Sequence, residues 1–165
     1  MKKKVHLSIF CKVLTLLVIG IMVAVIITEW HNPEKLSVAL VITLLMALFG
    51  VIYYPTSIET TSDTLRINHL FSSNKIPFNQ ICGAERCYPS PGGLRLCGSG
   101  GFLGYWGYFN DIVIGSYFGY YGDRSQCILL KLTDKKQYVI SCEDPDEMVA
   151  EISAPAKIKK FPLQG

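Results

Sequence analysis

"LSIFCKVLTLLVIGIMVAVIIT", residues 7–28, decides how the rest of the chain is read. It is apolar except for Lys12. Seven residues later "LSVALVITLLMALFGVIYY", 36–54, carries no charge at all. About 20 apolar residues cross the ~30 Å hydrocarbon core as a helix, and both segments reach that length. Lys12 lies little more than a turn inside the first segment, where its stem reaches back to the headgroups. A cleaved signal peptide is the competing reading of "MKKK" followed by an apolar run. Against it, the run is too long for a usual h-region, and neither a small-x-small site nor a lipoprotein cysteine follows. The connection "EWHNPEK" holds Asn32-Pro33, which stops a helix and suits a tight reversal. The expectation is a two-helix transmembrane hairpin over residues 1–54.

Lysine placement orients it. Lys2, Lys3, Lys4 and Lys12 flank one end, and the loop has one lysine against two glutamates, so both termini are expected on the cytoplasmic side. The three-lysine start would then face anionic headgroups, worth about 1 kcal/mol per residue. Trp30 and the pair Tyr53-Tyr54 read as interfacial aromatic anchors. Gly20 and Ala24 form a small-xxx-small pair, a spot where a second helix, including one from another copy, can approach closely.

Half the residues are hydrophobic and 18% are charged, and residues 1–54 hold most of the apolar excess. The net charge of +3 is local too. Residues 1–54 carry five lysines and two glutamates, and the remainder carries eleven basic and eleven acidic residues. A neutral domain lacks the basic face that nucleic acid requires.

From Pro55 onward, short runs rich in Thr, Ile, Val and Tyr alternate with turn clusters, a β signature. "SIETT", "TLRINHL", "NKIPFNQICGAERCY", "GLRLCG" and the stretch around "DIVIGSYFGYYG" read as successive strands. "CILLKL" places Ile128, Leu130 and Leu132 on one face, and "QYVISC" places Tyr138, Ile140 and Cys142 on another; the turn between them makes a hairpin. "EDPDEMVAEIS" is different. Asp144 is the expected N-cap, Pro145 stands at N1, and Asp146 and Glu147 lie in the first turn. Pro145, Met148, Val149 and Ile152 form one apolar stripe on a short helix. Residues 154–165 read as a polar tail.

Seven strands followed by a closing helix resemble the pleckstrin-homology (PH)-like roll. More closely, "YYPTSIETTSDTLRINHLFSSNKIPFNQI", "GLRLCGSGGFLGYWGYF" and "YVISCEDPDEMVAEI" together resemble the membrane-anchored bacterial PH-domain proteins, over residues 53–152. The resemblance implies an α+β membrane protein: an N-terminal two-helix transmembrane hairpin, then a PH-like seven-stranded β-roll over 55–153 with a C-terminal capping helix. It implies no catalytic residues, and most members have no assigned activity.

Residues 97–122, "CGSGGFLGYWGYFNDIVIGSYFGYYG", interleave glycines with nine aromatics. No Walker loop is present, because no lysine falls between Lys75 and Lys131, and Gly98-Ser99-Gly100 is followed by Leu103 where a dinucleotide fingerprint needs glycine. Bends and close approaches in a curved sheet account for such glycines. The alternative is an exposed loop in which Phe102, Leu103, Tyr105 and Trp106 contact lipid or a partner. Cys82 and Cys87 lack zinc-knuckle spacing, so the six cysteines read as buried small hydrophobes and no metal or cofactor is expected. A thiol enzyme would need a base, and His69 is the one histidine after the hairpin. Arg66, Lys75, Arg86 and Arg95 do not converge as an inositol-phosphate site requires. The sequence therefore points to a non-catalytic binding or scaffolding module at the bacterial inner membrane, engaging an unknown membrane-associated protein or peptide. A small thiol- or histidine-dependent enzyme and a peripheral lipid-contacting module are the alternatives. Labelling from outside intact cells is expected to reach a cysteine placed near His31 but not Cys142.

Overall fold

Ser8 and Asn32 start the two long helices. The Ser8 hydroxyl accepts from the Cys11 amide at 3.3 Å, and the Asn32 side chain accepts from the Lys35 amide, with Pro33 as the first helical residue. Each cap satisfies an amide the helix leaves without a partner. A computed structural model describes residues 1–154; the tail expected over 154–165 otherwise lies outside the described residues. α1 runs Ile9–Thr28 and α2 runs Pro33–Tyr53, so α2 starts three residues before the apolar run. Both are long and apolar enough to cross a membrane, and little of either is buried within the protein.

Among the described residues the β part comprises two sheets. The first has the order β1-β2-β3-β4, from β1 (Lys2–Lys4), β2 (Pro55–Thr60), β3 (Thr64–His69) and β4 (Ser73–Pro77). The second has the order β5-β9-β10-β8-β7-β6, from β5 (Ile81–Cys87), β6 (Leu94–Gly101), β7 (Gly104–Asp111), β8 (Gly115–Tyr121), β9 (Cys127–Leu132) and β10 (Gln137–Ser141). Neighbours are antiparallel except β8 and β10, which run parallel. The expected hairpin forms, with Ile140 opposite Ile128 and Tyr138 opposite Leu130.

Among the described residues nine strands follow the helices, where the sequence pattern suggests about seven. "NKIPFNQICGAERC" is cut by a 3-10 turn at Phe78–Gln80 that passes the chain from the first sheet to the second. The glycine-aromatic stretch doubles back at 112–114, so one expected strand becomes β7 and β8.

The tenth strand, β1, precedes α1. Lys3 pairs with Ile58, the Met1 amino group donates to the Thr60 carbonyl at 2.8 Å, and Val5 is buried in the core. Its lysines are not simply a headgroup-facing tail. Lys3 is largely covered and its ammonium is bound by Asp144, at 3.0 Å, and by Glu147; these hydrogen bonds raise its pKa. Lys2 and Lys4 stay exposed.

The main core lies between the sheets: Ile58, Leu65, Ile67, Ile128, Leu130 and Ile140 are fully buried. α3 (Pro145–Ile152) closes it with Met148 and Ile152, each contributing about 1.5–3 kcal/mol by burial. Asp144 sits at the helix start in a left-handed conformation (φ 46°) and makes no side-chain cap bond. Its carboxylate is committed to Lys3 instead. A second cluster, Tyr105, Phe109, Tyr117, Tyr121, Leu129 and Val139, packs with Cys11 of α1.

Candidate functional site

Three glycines lie in one row across the second sheet: Gly98 opposite Gly107, and Gly107 opposite Gly119. Gly98 and Gly107 have φ of +114° and +119°, and a Cβ on either would sit about 2 Å from the carbonyl oxygen of Trp106 or Cys97. Only glycine permits that conformation at that closeness. The β6–β7 turn then meets the long helices. The Leu103 amide donates to the Thr15 hydroxyl at 3.0 Å, and that hydroxyl donates to the Cys11 carbonyl at 2.7 Å. Phe102 and Leu103 rest on Gly50 of α2, where a Cβ would meet their rings and methyls inside 3 Å. One turn on, Tyr53 stacks on Trp106 with centroids 4.8 Å apart and planes 13° from parallel.

Beside these contacts lies a cleft of about 590 Å³. Leu45, Met46 and Phe49 of α2 form one wall, and Trp106, Tyr108 and Phe118 of the sheet form the other. Tyr108 and Phe118 meet edge to face at 4.7 Å. Arg95 also borders the cleft, but its guanidinium lies over Gly100, which is opposite Tyr105 on the other face of the sheet.

The expected contact residues therefore separate. Phe102, Leu103 and Trp106 are half-buried against the helices. Tyr105 does not belong with them: it is 3% exposed, stacked on Tyr121 at 4.8 Å and covered by the Arg124 guanidinium. Alternation along β7 sends it to the opposite face from Trp106. Gly20 and Ala24 are exposed, and nothing lies within 4 Å of a Cβ on Gly20.

At the far end of β7 the Asp111 carboxylate accepts from the amides of Ser90 at 2.7 Å and Val113 at 2.8 Å. The hydrogen bonds from Ser90, Val113 and Ile114 outweigh the desolvation opposing them and hold its pKa below the usual carboxylate value. They fix a turn whose apolar side chains point outward: Ile112 is 97% and Val113 85% exposed. Leu94 and Leu96, on the free edge of β6, are also exposed. Sequence reasoning did not find this patch, although "DIVIG" carries its signal: a turn with apolar residues where polar ones are usual.

A family model for the bacterial PH domain matches residues 56–155. The chain belongs to the bacterial PH-domain family. No curated protein and no solved structure matches it. PH domains are generally non-catalytic, and three of the domain's five cysteines, Cys87, Cys127 and Cys142, are buried, whereas Cys82 and Cys97 are exposed. Burial pushes Cys87 and Cys142 up to about 12, and Cys127 well above its ordinary value. Such thiols stay protonated and are poor nucleophiles. His69 is buried against Tyr120, and burial lowers its pKa. β1 does bring a second histidine to the PH domain: His6, bound to Glu143, lines a cleft of about 360 Å³ with Cys142. Among the described residues no group of three or more His, Cys, Asp and Glu is placed to hold a metal ion.

Proposed function

We propose that this chain is a bilayer-anchored PH domain of the bacterial inner membrane, with both termini cytoplasmic, that binds a membrane-associated protein through an extended apolar segment. The exposed cluster Leu94, Leu96, Ile112 and Val113 carries this reading. An open strand edge offers unpaired amides and carbonyls, and a peptide can add to it as a further strand. Among the described residues the four sheet edges are not equivalent. β1 and β4 carry lysines, and β4 also carries Pro77, which blunt pairing. β5 lies beside α3. β6 presents leucines beside a rigid apolar turn, and exposed apolar patches of that kind are usually contact surfaces. The helices confine the patch near the membrane and raise its effective concentration toward other membrane-bound proteins.

The test is photo-crosslinking in cells that make the protein naturally. A photoreactive amino acid replacing Leu96 is expected to give one discrete protein adduct, lost in the Ile112→Asp/Val113→Asp background. The same probe at Lys75, on the other sheet, is expected to give none. Equal adduct patterns at 96 and 75, or an adduct indifferent to the aspartates, would overturn the reading.

A further inference from the structure

We propose that the β6–β7 turn, Phe102–Leu103, lies immersed in the acyl chains of the bilayer beside α1 and α2, so that the domain is seated in the membrane surface and does not stand off from it. The proposal rests on the anchoring just described and holds whichever way the hairpin is oriented. It keeps Phe102 and Leu103 of the expected contact residues and leaves out Tyr105, which is buried.

Helix length comes first. Gly101 and Gly104 pair to close the turn, and its tip meets α1 at Thr15 and α2 at Gly50. Thr15 lies six residues inside the start of α1, about 9 Å along the helix axis, and Gly50 three residues inside the end of α2, about 4.5 Å. Beyond the tip, residues 16–28 of α1 and the apolar 36–49 of α2 each give about 20 Å of helix. The hydrocarbon core is about 30 Å thick, so a bilayer that stopped at the tip would be too thin by about a third. It would also leave Ile9, Phe10, Val13 and Ile52 facing water, all of them exposed on the protein surface. Covering these side chains with hydrocarbon is favoured in proportion to their apolar area. It takes the tip into the acyl region with them.

Two polar groups of the tip are paired as that medium requires. Hydrocarbon offers no water, so a backbone group there must find its partner in the protein. The Leu103 amide donates to the Thr15 hydroxyl at 3.0 Å, and the Phe102 carbonyl accepts from the Ser99 hydroxyl at 2.8 Å. Thr15 and Ser99 are both buried. At an ordinary exposed turn water would serve both groups. The nearest charges limit the depth. Arg124 covers Tyr105, and the Arg95 guanidinium lies over Gly100, the cross-strand partner of Tyr105, one pair behind the glycines that close the turn. Lys12 stands about 4.5 Å inside the start of α1, and a lysine stem of that placement extends back to the headgroups. These cations belong at the headgroup level, so the immersed part of the domain is the tip alone.

The chain has two tryptophans, so a Trp30→Phe/Trp106→Phe background is free of indole. Phe102→Trp and, past the far end of β7, Ile112→Trp are made in it as full-length chains and reconstituted into phosphatidylcholine vesicles. The lipid carries bromine near the headgroup end or near the methyl end of its acyl chains; in separate samples iodide is present on both sides of an unbrominated bilayer. The indole at 102 is expected to lose fluorescence to bromine near the headgroup end, less to the deeper bromine, and none to iodide. The indole at 112 is expected to show the reverse, a loss to iodide and none to lipid. Should the Phe102→Trp chain fail to fold, Trp106 in the Trp30→Phe protein, stacked on the last residue of α2, takes its place as reporter with the same pattern expected. Iodide quenching at the reporter, or lipid quenching there no greater than at 112, would overturn the immersion. Alkaline carbonate extraction separates the two readings. A chain released from the vesicles ends the anchoring and the immersion together, whereas a chain that stays without lipid quenching at the reporter ends the immersion alone.

Discussion

Tyr53, the last residue of α2, stacks on Trp106 of β7 with ring centroids 4.8 Å apart. This contact couples the helices to the domain at a point distinct from the covalent join at Tyr54-Pro55. With β1 on the far side of α1 and Leu103 bonded to Thr15, the domain is held to the helices by several contacts and does not hang from one tether. A stacked aromatic pair contributes about 0.5–1.5 kcal/mol beyond its buried area. In a double-mutant cycle of Tyr53→Leu and Trp106→Leu, unfolding in detergent is expected to give a coupling of about 1 kcal/mol. Additivity of the two changes would show that the rings are neighbours without being partners.

The glycines of β6 and β7 differ in what a methyl would meet, so alanine substitutions are expected to form a graded series. At Gly98 and Gly107 the Cβ would collide with a backbone carbonyl and φ is positive; each substitution is expected to cost more than about 4 kcal/mol and to abolish folding. Gly115 has φ +84° but open space around it, so Gly115→Ala carries the backbone strain alone, about 1–2 kcal/mol. Gly83→Ala, in a strand with open space and no positive φ, is expected to be neutral or slightly stabilising. Thermal unfolding of the four variants checks the order. Equal losses at 98 and 83 would remove the curvature argument.

The α3 stripe was legible because its period is local: Pro145, Met148 and Ile152 are buried as spacing alone suggests. The long helices and the β9–β10 hairpin were legible for the same reason. β1 was not. "KKK" reads as a solvated charge run, and what makes it a strand is a register with Glu59, Ile58 and Ser57 more than fifty residues away. The same non-local pairing hid the tie of Asp144 to Lys3 and brought His6 to a domain that otherwise contains only His69. Tyr105 and Trp106 read in sequence as one contact loop; strand alternation puts them on opposite faces, and since both are aromatic their sequence does not say which face meets the helices. The cleft is harder still to read, since its walls come from α2 and from strands more than forty residues later.

His69 gives the stability a pH dependence of known sign. Burial lowers its pKa from the ordinary 6.5, and the backbone carbonyls of Tyr54 and Tyr53 only partly oppose this. Below pH 6.5 the unfolded chain takes up a proton that the folded imidazole resists. Stability is therefore complete above that value and falls as pH drops toward the lower folded value. Asp111 and Glu143, whose pKa values are also lowered, weaken the fold only at more acid pH, below their ordinary 3.8 and 4.5. Between pH 6.5 and about 5 the wild-type midpoint is expected to decline, and His69→Asn to decline less. Identical slopes for the two proteins in that window would refute the assignment.

Cysteine exposure decides how the orientation of the chain is best measured. Cys142 is 1% exposed and sits with Ile140 and Met148 in the core, so it resists a maleimide on whichever side of the membrane it lies. A silent Cys142 is therefore uninformative about topology. Cys82 and Cys97 are exposed and free. With both termini cytoplasmic, an impermeant maleimide added to intact cells is expected to leave Cys82 and Cys97 unlabelled and to label His31→Cys in the loop between the helices. Permeabilising the cells is expected to add labelling of Cys82 and Cys97. Labelling of Cys82 in intact cells would invert the hairpin and place the domain, with its apolar patch, outside. A chain found in the soluble fraction would remove the anchor altogether.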